Sequence, residues 1–168
     1  MLVARTTDVD ATRSLAGALA ELARPGDLLL LSGDLGAGKT AFAQGFGKGL
    51  GIDEPITSPT FTLAREYQGT RLRLHHLDVY RMEAMEEVFD VDLPDLLDDH
   101  AVVLIEWGEA IIPAVPADYL EISLHLGDAD DDRQLELRPI GPSWSARVKA
   151  VATAIGPWSA GADSEVDA

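Results

Sequence analysis

Leu28-Leu29-Leu30-Leu31-Ser32-Gly33-Asp34-Leu35-Gly36-Ala37-Gly38-Lys39-Thr40 is the stretch that decides the fold. Four consecutive leucines with no polar alternation read as a strand buried on both faces, the kind a parallel sheet uses. Residues 33–40 then satisfy G-x-x-x-x-G-K-[ST] at every fixed position. Glycines let consecutive backbone amides turn inward around phosphate oxygens without Cβ clashes. The helix expected over 39–50 aims its positive end at the bound anion, and Gly51 is its expected stop. Lys39 can reach the β- and γ-phosphates, and the Thr40 hydroxyl can ligate Mg²⁺. The expected nucleotide contacts are therefore Gly33, Gly36, Ala37, Gly38, Lys39, Thr40 and Ala41. The chain has no asparagine, so the Asn-Lys-x-Asp element that reads guanine in many GTPases is absent, which favours ATP.

A phosphate loop needs a carboxylate near its metal, at the end of a neighbouring buried strand. Ala101-Val102-Val103-Leu104-Ile105-Glu106 supplies one, facing the nucleotide crevice of an open α/β sheet. His75-His76-Leu77-Asp78-Val79-Tyr80-Arg81 places a second carboxylate near a strand end. The paired histidines read as structural, one in the core and one exposed, because neither has an i,i+4 metal-ligating partner. Thr57-Ser58-Pro59-Thr60-Phe61-Thr62-Leu63 reads as a Pro-containing turn opening a strand, although its hydroxyls would suit a switch segment.

Around these motifs the chain alternates helices, buried strands and hairpins. Helical spacing over 15–23 follows candidate caps at Asp8 and Asp10, and Arg24-Pro25-Gly26-Asp27 stops it. Strands over 61–67 and 71–79 form an expected hairpin through Gln68-Gly69-Thr70. Residues 82–99 read as short helices interrupted at Pro94. Strands over 119–126 and 133–137 flank an acidic turn, and 144–155 reads as a last helix. The pattern predicts an α/β, P-loop NTPase-like three-layer fold with a mixed, largely parallel central sheet and β-hairpins. One domain is expected over 1–156, with a flexible acidic tail over 157–168.

Composition agrees with a single soluble domain. The 168 residues are 46% hydrophobic and 25% charged, enough to bury a core without staples. With no cysteine there are no disulfides, thiolate metal sites or thiol catalysis. No signal-peptide pattern or membrane-length apolar run occurs, so the expected compartment is the cytoplasm. The formal net charge of −16 repels a phosphate backbone, which argues against independent tight binding to nucleic acid or an anionic membrane. Between Arg81 and Arg133 there is no Lys or Arg, while the stretch carries 16 acidic residues. It reads as a solvated acidic face, with a docking surface for a basic partner protein as the functional alternative.

Taken together, the phosphate loop, Ser58-Pro59-Thr60-Phe61-Thr62-Leu63, His76-Leu77-Asp78-Val79-Tyr80-Arg81 and Ile105-Glu106-Trp107 closely resemble the TsaE family. These are small bacterial ATPase subunits of the tRNA threonylcarbamoyladenosine machinery. The resemblance covers roughly residues 27–110 and implies ATP and Mg²⁺ as cofactors and the TsaD and TsaB proteins as partners, with tRNA engaged only through the complex. It implies that Thr40 and Glu106 associate with Mg²⁺, that Asp78 serves hydrolysis, and that Trp107 lies by the site. Lys39, Asp78 and Glu106 are thus the candidate catalytic residues, and Arg133, entering the last hairpin, is a candidate nucleotide contact. Where the family often has His-Phe-Asp this chain has His-Leu-Asp, which keeps the carboxylate. Two other functions fit the loop: a small-molecule kinase, or a non-catalytic nucleotide-sensing adaptor. The kinase reading lacks the arginine-bearing lid such enzymes close over the phosphoryl group, because residues 82–132 hold no Lys or Arg.

Overall fold

A computed structural model describes residues 1–57, 64–79, 93–98, 100–106 and 112–159. Among them, seven strands form one sheet: β1 (Leu2–Thr6), β2 (Leu28–Ser32), β3 (Ala64–Gln68), β4 (Arg73–Asp78), β5 (Ala101–Glu106), β6 (Tyr119–Leu126) and β7 (Arg133–Ile140). Their order is β1-β7-β6-β2-β5-β4-β3. The centre, β4-β5-β2-β6, is parallel throughout, and the flanking pairs β3/β4, β6/β7 and β1/β7 are antiparallel. This is the mixed α/β sheet the sequence predicts.

The apolar runs explain the layering. Leu29 and Leu31 of β2 with Val102 and Leu104 of β5 face one core, and Leu28, Leu30, Val103 and Ile105 face the other. The larger core is covered by helices α1 (Val9–Ala20), α2 (Lys39–Gly49), α4 (Pro142–Ser145) and α5 (Val148–Ala154). The smaller is covered by α3 (Leu93–Asp98) and the turn at Ala114 and Val115.

Helix α1 starts at Asp8, whose carboxylate accepts a hydrogen bond from the Ala11 amide at 2.7 Å. Its C-terminal carbonyls are closed by Arg71, which donates to Ala20, Glu21 and Ala23. α1 and α2 cross at glycines. A Cβ on Gly45 would lie 2.1 Å from the Arg13 carbonyl oxygen, and one on Gly49 would lie 2.6 Å from Ala20 Cβ. At the sheet's far end Asp27 and Arg147 form a buried bidentate pair, both contacts 2.7 Å, with the guanidinium 3.8 Å above the Trp144 ring.

Several elements differ from the sequence expectation. β1 was not predicted: it is an edge strand, and Leu2–Thr6 buries only Ala4 and Thr6 fully. The expected last helix is two, α4 and α5, parted where Arg147 turns inward to Asp27. Both histidines of the pair are buried, because β4 lies inside the sheet between β3 and β5. The fold also continues past Gly156: a 3₁₀ turn over Gly156–Trp158 brings Ser159 into a bridge with Ala4. No described helix is long and apolar enough to cross a membrane.

Candidate functional site

Because β4, β5, β2 and β6 are parallel, their C-terminal ends gather along one edge of the sheet. The phosphate loop leaves β2 at that edge. Gly33 has φ +144°, and a Cβ there would lie 2.6 Å from the Leu124 carbonyl of β6, so the loop's first turn admits only glycine. Gly36 and Gly38 also have positive φ, and Gly38 at +106° is the cap of α2. Ala37 is buried in the main core and anchors the loop from beneath. Asp34, Leu35 and Gly36 form its exposed tip, while Thr40 and Ala41 are half-buried in the first turn of α2.

Register brings the acids to the loop. Asp78 of β4 pairs with Glu106 of β5, and Glu106 pairs with Leu31 of β2, two residues before Gly33. Parallel partners in register share a face, so both carboxylates stand on the α2 side of the sheet. Both are buried, Asp78 to 9% exposure and Glu106 to 2%. Lys39 is buried beside them. Its Nζ donates to the Gly33 carbonyl at 2.5 Å and to that of Asp34 at 3.1 Å. Burial holds the Lys39 ammonium below the ordinary lysine range, and the negative charges of Glu106, Asp78 and Asp34 oppose that shift.

Two buried carboxylates and Asp34 around one lysine leave this pocket with excess negative charge. An all-oxygen donor set of that sign suits a hard divalent cation that keeps some of its water, as Mg²⁺ does. Thr40 and Glu106 are the groups that would hold it, directly or through that water. The described residues contain no cluster of three or more His, Asp or Glu side chains able to cage a metal unaided.

Arg133 lies against the loop. Its guanidinium donates to the carbonyls of Ala37 (3.1 Å), Gly36 (3.2 Å), Asp130 and Asp132 (both 2.7 Å), stapling the β6–β7 turn to the phosphate loop. It also borders a hollow of about 570 Å³ lined by Thr6, Thr7, Gln134 and Trp158 among others. A second hollow, of about 500 Å³, runs past Ser32, Asp34, Ser123 and His125. Sequence reasoning missed the contributions of Thr6, Thr7 and Trp158, since β1 and the turn after α5 carry no motif. It also missed His76, whose Nε2 lies 3.7 Å from Glu106 Oε2. Period-two spacing from Asp78 was the available signal for it, because residues two apart on a strand share a face. Trp107, Arg81 and residues 58–63 fall outside the described residues.

Comparison with known proteins finds relatives over most of the chain. The family model described as threonylcarbamoyl adenosine biosynthesis protein TsaE matches residues 6–135. The chain belongs to the TsaE family. It is 42% identical over 137 residues to the tRNA threonylcarbamoyladenosine biosynthesis protein TsaE of Bacillus subtilis, covering 82% of this chain and 85% of that one. It is 44% identical over 136 residues to the Nostoc protein of the same name, covering 79% and 82%. The crystal structure of Bacillus subtilis YdiB superposes with a TM-score of 0.76 at 35% identity, over 90% of this chain and 94% of that one. The matched span of the TsaE model begins in β1 and ends in β7, so it contains the whole loop, both carboxylates and Arg133.

Proposed function

We propose that this TsaE-family chain binds ATP with Mg²⁺ at the phosphate loop and hydrolyses it. In this reading hydrolysis supports formation of threonylcarbamoyladenosine in tRNA by a TsaD–TsaB partner pair. The observation that carries the reading is the register of Asp78 with Glu106 and of Glu106 with Leu31, which sets two buried acids beside Lys39 and the loop. The triphosphate would lie along the loop amides, with Lys39 exchanging its two backbone carbonyls for β- and γ-phosphate oxygens. Thr40 and Glu106 would hold the metal, which when bound neutralises charge on the phosphates. Asp78 would orient water for in-line attack on the γ-phosphorus. The new P–O bond forms from water as the bond to the β–γ bridging oxygen breaks, giving ADP and inorganic phosphate. The nucleoside would occupy the hollow beside Arg133, where Trp158 offers an aromatic face.

The kinase reading is weaker because residues 82–132 supply no Lys or Arg to close over a transferring phosphoryl group. Phosphate release decides between the readings. Wild-type protein is expected to release phosphate from ATP with Mg²⁺ and no acceptor, slowly alone and faster with TsaD and TsaB. Glu106→Ala should raise the Mg²⁺ needed for nucleotide binding, whereas Asp78→Ala should bind nucleotide and lose turnover. Phosphate release that requires a small acceptor would replace hydrolysis with phosphoryl transfer, and binding without release would leave an adaptor.

A further inference from the structure

His76 is a buried polar residue set between Arg65 of β3 and Leu104 of β5. It is fully buried on β4, in register with Leu104 of β5, and among the described residues neither of its ring nitrogens has a hydrogen-bond partner. A leucine would fill such a position without any cost of desolvating an imidazole. Among the described residues the Glu106 carboxylate faces the ring, with His76 Nε2 3.7 Å from Oε2 and both side chains almost wholly buried. His76 also shares its face of β4 with Asp78, so the ring lies beneath the pair of acids on the side away from the strand ends.

Resting on the assignment of Glu106 to the metal, we propose that His76 is a positioning residue for the magnesium site. Its Nε2–H restrains one carboxylate oxygen of Glu106 so that the other is presented at the strand end, toward the loop. Carboxylates that ligate metals are commonly held this way by a partner behind them, and loss of such a partner costs about 10–100-fold in metal affinity.

The test is a titration of Mg²⁺ against binding of a fluorescent ATP analogue, with nucleotide affinity in EDTA measured in parallel. His76→Leu should raise the half-saturating Mg²⁺ concentration about tenfold or more while leaving the Mg²⁺-free nucleotide affinity and the melting temperature near wild type. His76→Gln places an amide nitrogen close to the Nε2 position and should return to within about threefold of wild type. His76→Asn reaches only the Nδ1 position and should resemble His76→Leu. Should His76→Leu fail to fold, the Gln and Asn pair carries the same comparison. An unchanged Mg²⁺ requirement in His76→Leu, or equal behaviour of Gln and Asn, overturns the proposal. Glu106→Gln is run alongside: if it also leaves the Mg²⁺ requirement unchanged, the assignment of Glu106 itself has failed. A shift confined to Glu106→Gln rejects His76 alone.

Discussion

At the scale of single residues, Lys39 carries opposing demands. In the proposed role it must be charged to meet phosphate, yet burial holds its proton less firmly than water would, with Glu106, Asp78 and Asp34 opposing that effect. The folded-state value lies below the unfolded one, so folding favours the deprotonated amine. The Lys39 contribution to stability therefore increases as pH rises from its depressed value toward 10.5, where the unfolded chain also loses its proton. Nucleotide binding has the opposite sign, since phosphate needs the ammonium. ATP affinity is expected to fall with rising pH before the ordinary lysine range is reached. Isothermal titration in buffers of different ionisation enthalpy should show proton uptake on binding in that range, and Lys39→Ala should show none. The same variant should release phosphate about 10²–10³-fold more slowly while keeping its circular dichroism spectrum. A folded Lys39→Ala protein with undiminished hydrolysis would remove the phosphate loop from the mechanism. The loop, Lys39 and both carboxylates were legible as motifs, because their chemistry demands fixed residue types at fixed spacing. His76 was not, because its meaning depends on which residue the neighbouring strand places beside it.

Elements extend the same argument to packing. α2 reads Lys39–Gly49 with glycines at 45, 47 and 49, each a poor helix former. The crossing with α1 accounts for Gly45 and Gly49, whose Cβ positions are filled by Arg13 backbone and Ala20. Gly45→Ala should therefore destabilise the protein despite its better helix propensity. The helix bearing Lys39 and Thr40 would be displaced, so the melting temperature and ATP affinity should drop together. The Asp27–Arg147 clasp makes the contrasting case, since it lies at the end of β2 away from the loop. Removing one partner leaves an uncompensated buried charge, so Arg147→Ala should cost about 3–5 kcal/mol. That corresponds to a fall in melting temperature of about 10 °C at this size. Replacing both partners with apolar residues of similar volume should recover most of it, and ATP affinity of the folded fraction should stay unchanged. A melting temperature within a degree of wild type for Arg147→Ala would show the pair to be dispensable. The clasp also explains where sequence reading stopped short. β2 and β5 were legible because burial on both faces leaves an unbroken apolar run. The break between α4 and α5 was not, because Ala146 and Arg147 suit a helix and it is the distant Asp27 and Leu22 that draw the arginine inward. β1 escaped for a related reason, since an edge strand with two fully buried side chains leaves almost no periodic trace.

Across the whole molecule the governing quantity is charge. The net charge is −16. Arg133 staples the loop and Arg65 donates to Thr57 while lying over the Tyr67 ring, whereas Arg71 and Arg73 lie at the opposite edge of the sheet, by the end of α1 and the start of β4. Charge on a transferring γ-phosphoryl group commonly takes a cation beyond the loop lysine, supplied either in cis or by a partner. With Arg65 and Arg133 engaged in this way, the isolated chain is expected to hydrolyse ATP slowly and to accelerate when TsaD and TsaB are added. The acidic turn over 127–132 stands at the mouth of the site, where Asp128, Asp130 and Asp131 are exposed. Such a surface attracts a basic partner over long range, and that attraction fades as salt shortens the Debye length from roughly 14 Å at 50 mM to roughly 6 Å at 300 mM. Stimulation measured at subsaturating partner should therefore shrink severalfold across that range, while the basal rate, set by buried groups, changes little. Neutralising the turn with Asp128→Asn, Asp130→Asn and Asp131→Asn should flatten the salt dependence without lowering the basal rate. Equal rates with and without both partners would reject partner activation. Stimulation that ignores both salt and the three substitutions would place docking on apolar contacts instead, with Leu35 at the exposed tip of the loop the first residue to test.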